Sequence, residues 1–202
     1  MIRRSYSILS SPNQKDTIDF YVAYVPEGEL TPRLFHLKNG DPIYIGPKIT
    51  GRFTLEKVPE EKHLLLVSTG TGLTPYISMI RSQLKSNPNR KWIVLHGVRE
   101  EADLSFDQEL RDTQNAFDNL YYFPCVSRSL EKDSFYKGRV TDFIKSETII
   151  KTSGLELTPE NFDVLLCGNP AMIEELTSYF ESLGFKKDKG KETGQIHTEE
   201  YW

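Results

Sequence analysis

Three short segments set glycine, a small polar residue and proline in an order that suits anion binding. They are Gly28-Glu29-Leu30-Thr31-Pro32, Gly70-Thr71-Gly72-Leu73-Thr74-Pro75 and Gly168-Asn169-Pro170. In each, Thr or Asn stands directly before Pro, as at a helix start. The capping side chain accepts an orphan amide, and Pro lacks the donor that would be wasted there. Glycine lets a ligand approach the backbone, and the remaining amides with the positive end of the helix dipole suit a phosphate or a polar ring edge. Any one of these segments alone reads as ordinary helix capping. Two of them follow apolar runs, Leu64–Ser68 and Val164–Cys167, that read as buried strands. Ligands of open α/β sheets bind at the carboxyl ends of such strands, so the pair points to a nucleotide site. The loop at 70–75 is neither common fingerprint. Pro75 occupies the third glycine position of a dinucleotide turn, and no Gly-Lys-Ser/Thr follows to make a P-loop.

Other residues add to this chemistry. Arg128 and Arg139 follow the third apolar strand of the second half, and guanidinium forks suit a phosphate monoester. The four histidines, His36, His63, His96 and His197, show no metal-ligand spacing and read as surface or strand-edge residues. Two cysteines, Cys125 and Cys167, build neither a zinc site nor an iron–sulfur cluster. No Gly-x-Ser-x-Gly elbow is present, and Ser105 reads as a helix cap with Gln108 completing a capping box. The sequence finishes Glu199-Glu200-Tyr201-Trp202, two large aromatics that could cover a flat ring by stacking.

These residues need elements to hold them. The chain has 202 residues and a formal charge of -4, with 38% hydrophobic residues. That length fits one large or two small domains and buries roughly 70% of the unfolded surface. The mildly acidic balance disfavours a nucleic-acid binder. No stretch approaches the roughly 20 apolar residues of a membrane helix, and the first residues lack a signal-peptide core, so a cytoplasmic protein without membrane contact is expected.

The pattern changes near residue 60. Before it, Tyr6–Leu9 and Phe20–Val25 read as strands, with turns at 26–28 and 38–41 and a short helix from Thr31. After it, strands are expected at Leu64–Ser68, Trp92–Val98, Leu120–Val126 and Val164–Cys167. Helices are expected at Pro75–Leu84, Ser105–Phe117, Val140–Ile144 and Pro170–Leu183. This alternation predicts a parallel sheet with helices on both faces. The boundary falls at Pro59–Lys62, giving domains 1–61 and 62–202, and residues 186–194 read as an exposed loop.

Arg4-Ser5-Tyr6-Ser7, Thr69-Gly70-Thr71-Gly72-Leu73-Thr74-Pro75, Cys167-Gly168-Asn169-Pro170 and the Tyr201-Trp202 end, in this order and spacing, resemble the ferredoxin (flavodoxin)–NADP reductase family, in its bacterial subclass ending in Tyr-Trp. The resemblance implies an antiparallel FAD-binding β-barrel, partial here, followed by an α/β parallel-sheet NADP-binding domain. It implies that Arg4 pairs with the FAD pyrophosphate, with Ser5 beside it, that Tyr6 packs on the flavin ring and that Ser7 hydrogen-bonds near its N5 atom. Tyr24 and Val25 would lie along FAD, and Gly28, Leu30 and Thr31 would offer amides to its phosphates. Thr69, Gly70 and Thr71 would border both flavin and NADP. Arg99, Arg128 and Arg139 would grip the adenosine phosphates, the last two selecting NADP(H) over NAD(H). Cys167, Gly168, Asn169 and Pro170 would hold the nicotinamide. Tyr201 would stack on the flavin and Trp202 on the adenine of a folded FAD.

The implied reaction is hydride transfer from NADPH to flavin N5, then single electrons to ferredoxin or flavodoxin. Ser7, Cys167, Tyr201 and a terminal carboxylate, Glu199 or Glu200, are the implied catalytic groups. The acidic partner would dock transiently on a monomer, with Lys186, Lys187, Lys189 and Lys191 as candidates for the docking face. In this family several barrel strands precede Arg-x-Tyr-Ser, whereas here that strand starts at residue 4, so the true start is expected upstream. Two other readings stay open: the reductase module of another electron-transfer or oxygenase system, and a non-catalytic NADP-binding remnant.

Overall fold

Continuous apolar runs with no polar face cannot sit at a surface, and here they become the centre of one sheet. The computed structural model describes residues 2–128, 135–146, 148–190 and 192–200. The strands are β1 (His63–Thr69), β2 (Trp92–Val98), β3 (Leu120–Val126), β4 (Tyr136–Lys137), β5 (Phe162–Gly168) and β6 (Ile196–Glu200). All pairings are parallel, in the order β4-β3-β2-β1-β5-β6. Every residue of β2 and β5 is buried, as expected of strands covered on both faces.

The helices are α1 (Thr31–Phe35), α2 (Thr74–Gln83), α3 (Asp107–Ala116), α4 (Val140–Ile144), α5 (Thr148–Ser153) and α6 (Pro170–Ser182). Alternation along the strands divides the core into two layers. Leu64, Leu66, Trp92, Val94, Leu165 and Cys167 face α2 and α3. Leu65, Val67, Ile93, Leu95, Val164 and Leu166 face α4, α5 and α6. Among the described residues, no helix is long and apolar enough to cross a membrane.

The N-terminal part lies over the α2/α3 face. Leu9, Leu55 and Val58 are buried in that core layer. The Tyr21 ring meets Phe106 edge-on at 5.5 Å, and Ser78 Oγ donates to the Ser10 carbonyl at 2.8 Å. The strands expected at 6–9 and 20–25 do not form a ladder. They meet at one isolated antiparallel bridge, Ile8 to Phe20, supported by the Leu9 amide on the Asp19 carbonyl at 2.8 Å. A lone two-stranded pair is marginal in water. Its aromatics pack on helices instead, Tyr21 on Phe106 and Tyr24 on Phe35. Residues 2–61 therefore show no closed barrel, and Tyr24, Phe35, Ile43 and Tyr44 stay exposed.

Three elements go beyond the expected pattern: β4, α5 and β6. Residues 186–190 and 192–194 lie outside the helices and strands and are mostly exposed, as expected of a loop, but main-chain bonds tie the stretch to β6: the Ile196 amide donates to the Lys186 carbonyl and the Asp188 amide to the Ile196 carbonyl. The Ser105–Gln108 capping box is absent. Helix α3 starts at Asp107 behind Phe106, which has φ 63°, and Ser105 Oγ donates instead to the Tyr21 hydroxyl at 2.8 Å.

The passage from the N-terminal part into the sheet is held by a buried arginine. Arg90 Nε donates to the Lys62 carbonyl at 2.8 Å and Nη2 to the Pro59 carbonyl at 2.9 Å. Arg90→Leu fills similar volume but strands both acceptors. It is expected to lower stability by about 2 kcal/mol, the cost of leaving such groups unpaired. Urea denaturation checks this, with a lower midpoint and an unchanged slope as the expected outcome.

Candidate functional site

The sheet order itself picks out one edge. From β1 the chain crosses to β2 on one side, while β5 lies on the other, so the loops leaving β1 and β5 diverge at their carboxyl ends. Such a switch point is where an open parallel sheet leaves a crevice. The loop after β1, Gly70–Leu73, is a single 3-10 turn that runs into α2. The loop after β5 is Asn169 alone, leading into α6.

Two glycines allow these loops to touch. A side-chain carbon on Gly72 would lie 2.3 Å from the Cys167 carbonyl oxygen. One on Gly168, where φ is +128°, would lie 2.4 Å from Thr69 Oγ1. The Asn169 amide donates to Thr69 Oγ1 at 2.9 Å, tying the two loops. Gly70 differs, with φ +54° and nothing within 4 Å of where its side chain would project. Thr69, Gly70, Thr71, Gly168, Asn169 and Pro170 are thus brought together, with open space over Gly70.

Of the three expected caps, one forms. Asn169 Oδ1 accepts from the amides of Ala171 and Met172, at 2.9 and 3.4 Å. Thr74 does not cap α2. The preceding 3-10 turn is already wound, so the helix boundary moves back to Leu73, and Thr74 Oγ1 donates to the Thr71 carbonyl at 2.6 Å. Thr31 does not cap α1 either. It lies inside the helix, and its hydroxyl exchanges hydrogen bonds with Val25 N and O, each at 3.0 Å.

Three arginines stand at the same edge on consecutive strand ends. Arg99 follows β2, Arg128 follows β3, and Arg139 precedes α4 just beyond β4. Main-chain bonds align them, with the Arg128 amide donating to the Arg99 carbonyl at 2.9 Å. All three are exposed.

On the other side, Ser7 Oγ donates to Glu199 Oε2 at 3.2 Å. Of the two carboxylates considered at the chain's end, Glu199 is the one that meets Ser7. Neighbours along a strand face opposite ways. Glu200 therefore borders a cavity of about 340 Å³ against α6, with Pro170, Ile173 and Lys187. Arg4 pairs with Glu29 at 3.0 Å, both largely exposed, an interaction of little strength that an anion could displace. Ser5 is exposed, Tyr6 is half-buried, and Gly28 closes a turn through its amide on the Val25 carbonyl at 3.0 Å. Val25 is exposed and Leu30 half-buried ahead of α1. Tyr201, Trp202 and Lys191 lie outside the described residues.

Both thiols are shut away. Cys167 is fully buried under the loop, so what it offers the edge is its main chain. Burial pushes the Cys125 thiol up to about 12. Among the described residues, no group of three His, Cys, Asp or Glu could hold a metal ion. One residue escaped the sequence reading. His96 is not at a strand edge; it is wholly buried on β2, and its Nε2 lies 3.0 Å from the Gly70 carbonyl. The one signal for it was its place in an otherwise apolar strand.

Comparison with known proteins gives a consistent picture. Residues 66–177 match the family model described as an oxidoreductase NAD-binding domain. The flavodoxin/ferredoxin–NADP reductase of Buchnera aphidicola (subsp. Baizongia pistaciae) is 33% identical over 204 residues, covering 100% of this chain and 81% of that protein. The ferredoxin–NADP reductase of Pseudomonas aeruginosa is 33% identical over 194 residues, covering 92% of this chain and 74% of its own. A ferredoxin NADP+ reductase from Neisseria gonorrhoeae, solved with bound FAD and NADP, superposes with a TM-score of 0.86 at 23% identity, over 98% of this chain and 79% of that one.

Proposed function

This chain belongs to the ferredoxin/flavodoxin–NADP reductase family, and from that premise we propose how its residues divide the work. It is an FAD-dependent oxidoreductase that moves electrons between NADPH and ferredoxin or flavodoxin. FAD, when bound, supplies the exchange between a hydride pair and single electrons. The observation that carries the reading is the carboxyl edge of the sheet, where open space lies over Gly70 after β1 and arginines follow β2, β3 and β4 in turn.

The residues fit both cofactors. For NADP(H), Arg99, Arg128 and Arg139 bind the adenosine phosphates, and Arg128 with Arg139 selects the 2′-phosphate through charge-assisted hydrogen bonds. Thr69, Gly70 and Thr71 border the nicotinamide end. Gly168, Asn169 and Pro170 hold it, with Cys167 acting through its main chain and its packing under the loop. For FAD, Arg4 exchanges Glu29 for the pyrophosphate, next to Ser5. Gly28, Leu30 and Thr31 line the approach, and Tyr6, Tyr24 and Val25 give apolar surface to the ring system. Ser7 with Glu199 forms a hydroxyl–carboxylate pair able to hold a proton beside the flavin. Tyr201 and Trp202 cover the rings by stacking, and Glu200 shapes the α6 side.

Residues 1–61 are assigned to part of an FAD-binding barrel and 62–202 to the NADP-binding domain. The protein works as a cytoplasmic monomer, and its acidic partner docks transiently on a basic face. The test is the visible spectrum of purified protein. Flavin bands bleached faster by NADPH than by NADH are the expected result. A colourless protein that FAD cannot reconstitute would overturn the reading.

A further inference from the structure

The glycine loop has a free outer side, so something inside must decide which way its peptides face. Three ties come from within. Gly72 is pressed against the Cys167 carbonyl, Thr74 Oγ1 donates to Thr71 O, and His96 Nε2 reaches the Gly70 carbonyl at 3.0 Å. Only the last of these comes from a side chain of the sheet, and it adds to the i→i+3 main-chain bonding of the 3-10 turn Gly70–Leu73, which orders the same peptide.

We infer that His96 is a positioning residue for the cofactor edge: its Nε2–H holds the Gly70 carbonyl inward and so turns the Thr71 amide out toward the ligand. The inference rests on the proposed function above. A carbonyl accepts only, so the ring must carry its proton on Nε2. A trans peptide is planar, with C=O and N–H pointing opposite ways, so a carbonyl drawn toward β2 sends the next amide away from it. Gly70 at φ +54° takes a backbone conformation that glycine adopts freely, and the 3-10 turn it opens orders this peptide from the main-chain side. His96 adds the side-chain hold on it from within the sheet.

The ring is suited to this task. It is wholly buried, and Nδ1 has no protein partner, so the Gly70 bond is its polar anchor. Burial pulls the imidazole down to about 4, against weaker upward pulls from the Gly70 carbonyl and the Asp107 carboxylate. The ring is thus neutral at ordinary pH, with one proton to give and one place to give it.

The test has two parts. Long-range ¹H–¹⁵N spectra of the full chain will show His96 as the Nε2–H tautomer; the Nδ1–H form would overturn the inference whatever the variants do. His96→Phe keeps the volume and removes the donor, while His96→Gln keeps an N–H at similar reach. NADP+ binding, read by difference spectroscopy, is expected to weaken about fivefold to tenfold in the Phe variant and to stay within about twofold in the Gln variant, from the worth of one hydrogen bond. In turnover the Phe change should fall on KM and leave kcat near its starting value. Equal losses in both variants, or none in Phe, would sink the idea. Should Phe fail to fold, the tautomer and the Gln measurement still decide. Absence of any NADP+ binding by the unaltered protein would count against the functional reading instead, with the tautomer result standing apart from it.

Discussion

Alanine at position 72 will cost the protein about 3 kcal/mol and its nucleotide site together, the upper end of what overpacking does in a close-packed interior. The added methyl would meet the Cys167 carbonyl oxygen at 2.3 Å, its carbon at 2.7 Å and the Gly168 nitrogen at 3.0 Å. All three are main-chain atoms of the central strand β5 and its exit, so no side chain can swing aside. Relief must come from parting β1 and β5, where the candidate site lies. For a domain of this size the melting temperature should fall by about 6–12 °C. Gly70→Ala is the informative contrast. It has room for the methyl but an unfavourable backbone, so it should lose about 1–2 kcal/mol. Its methyl would project into the open space, so nucleotide binding should suffer more than stability. Thermal melts and NADP+ titrations of the two variants separate these cases. A Gly72→Ala protein as stable as the parent would contradict the contact between the two loops.

Arg128→Ala is expected to lower kcat/KM for NADPH by about 10- to 100-fold while leaving NADH within about twofold. The range is that of one or two hydrogen bonds between a guanidinium and a phosphate, about 1.5–3 kcal/mol. The fold should not respond. Arg128 holds its place through its main-chain amide on the Arg99 carbonyl, which alanine keeps, and its side chain is exposed. Rising salt should narrow the preference of the parent enzyme, since exposed charges are screened over about 10 Å at 0.1 M. Equal losses for both nucleotides would contradict the assignment of Arg128 to the 2′-phosphate. Arg139 at the next strand end should retain part of the discrimination.

The centre of this molecule was legible and its margins were not. Strands β2 and β3 run over the residues their apolar character predicts, and β1 and β5 extend theirs by one or two at the ends. A strand buried on both faces is apolar at nearly every position, so it announces itself. Strand β6 does not, because Ile196-His197-Thr198-Glu199-Glu200 lies at an edge. There His197 satisfies itself against buried Asp163 at 2.8 Å rather than by being apolar. Cap identities failed for a different reason. Whether Thr74 caps a helix depends on whether Gly70–Leu73 winds into a turn first, which residue types alone do not fix. His96 was missed because its partner is a carbonyl, and every residue supplies one. The grouping of Thr69–Thr71 with Gly168–Pro170 was readable, since both segments follow buried strands and the sheet had only to bring those strands together.

The bond between Ser7 and Glu199 joins residues 192 positions apart. Contacts of such separation close late, because the loop entropy must be met before the contact repays it. Strand β6 reaches the sheet only by adding beside β5, the most C-terminal of the fully buried strands. During folding the edge between β1 and β5 can therefore form before β6 docks. The Ser7 side cannot. Folding has an order written into it: the β1/β5 edge first, and the seam that joins the N-terminal part to β6 last.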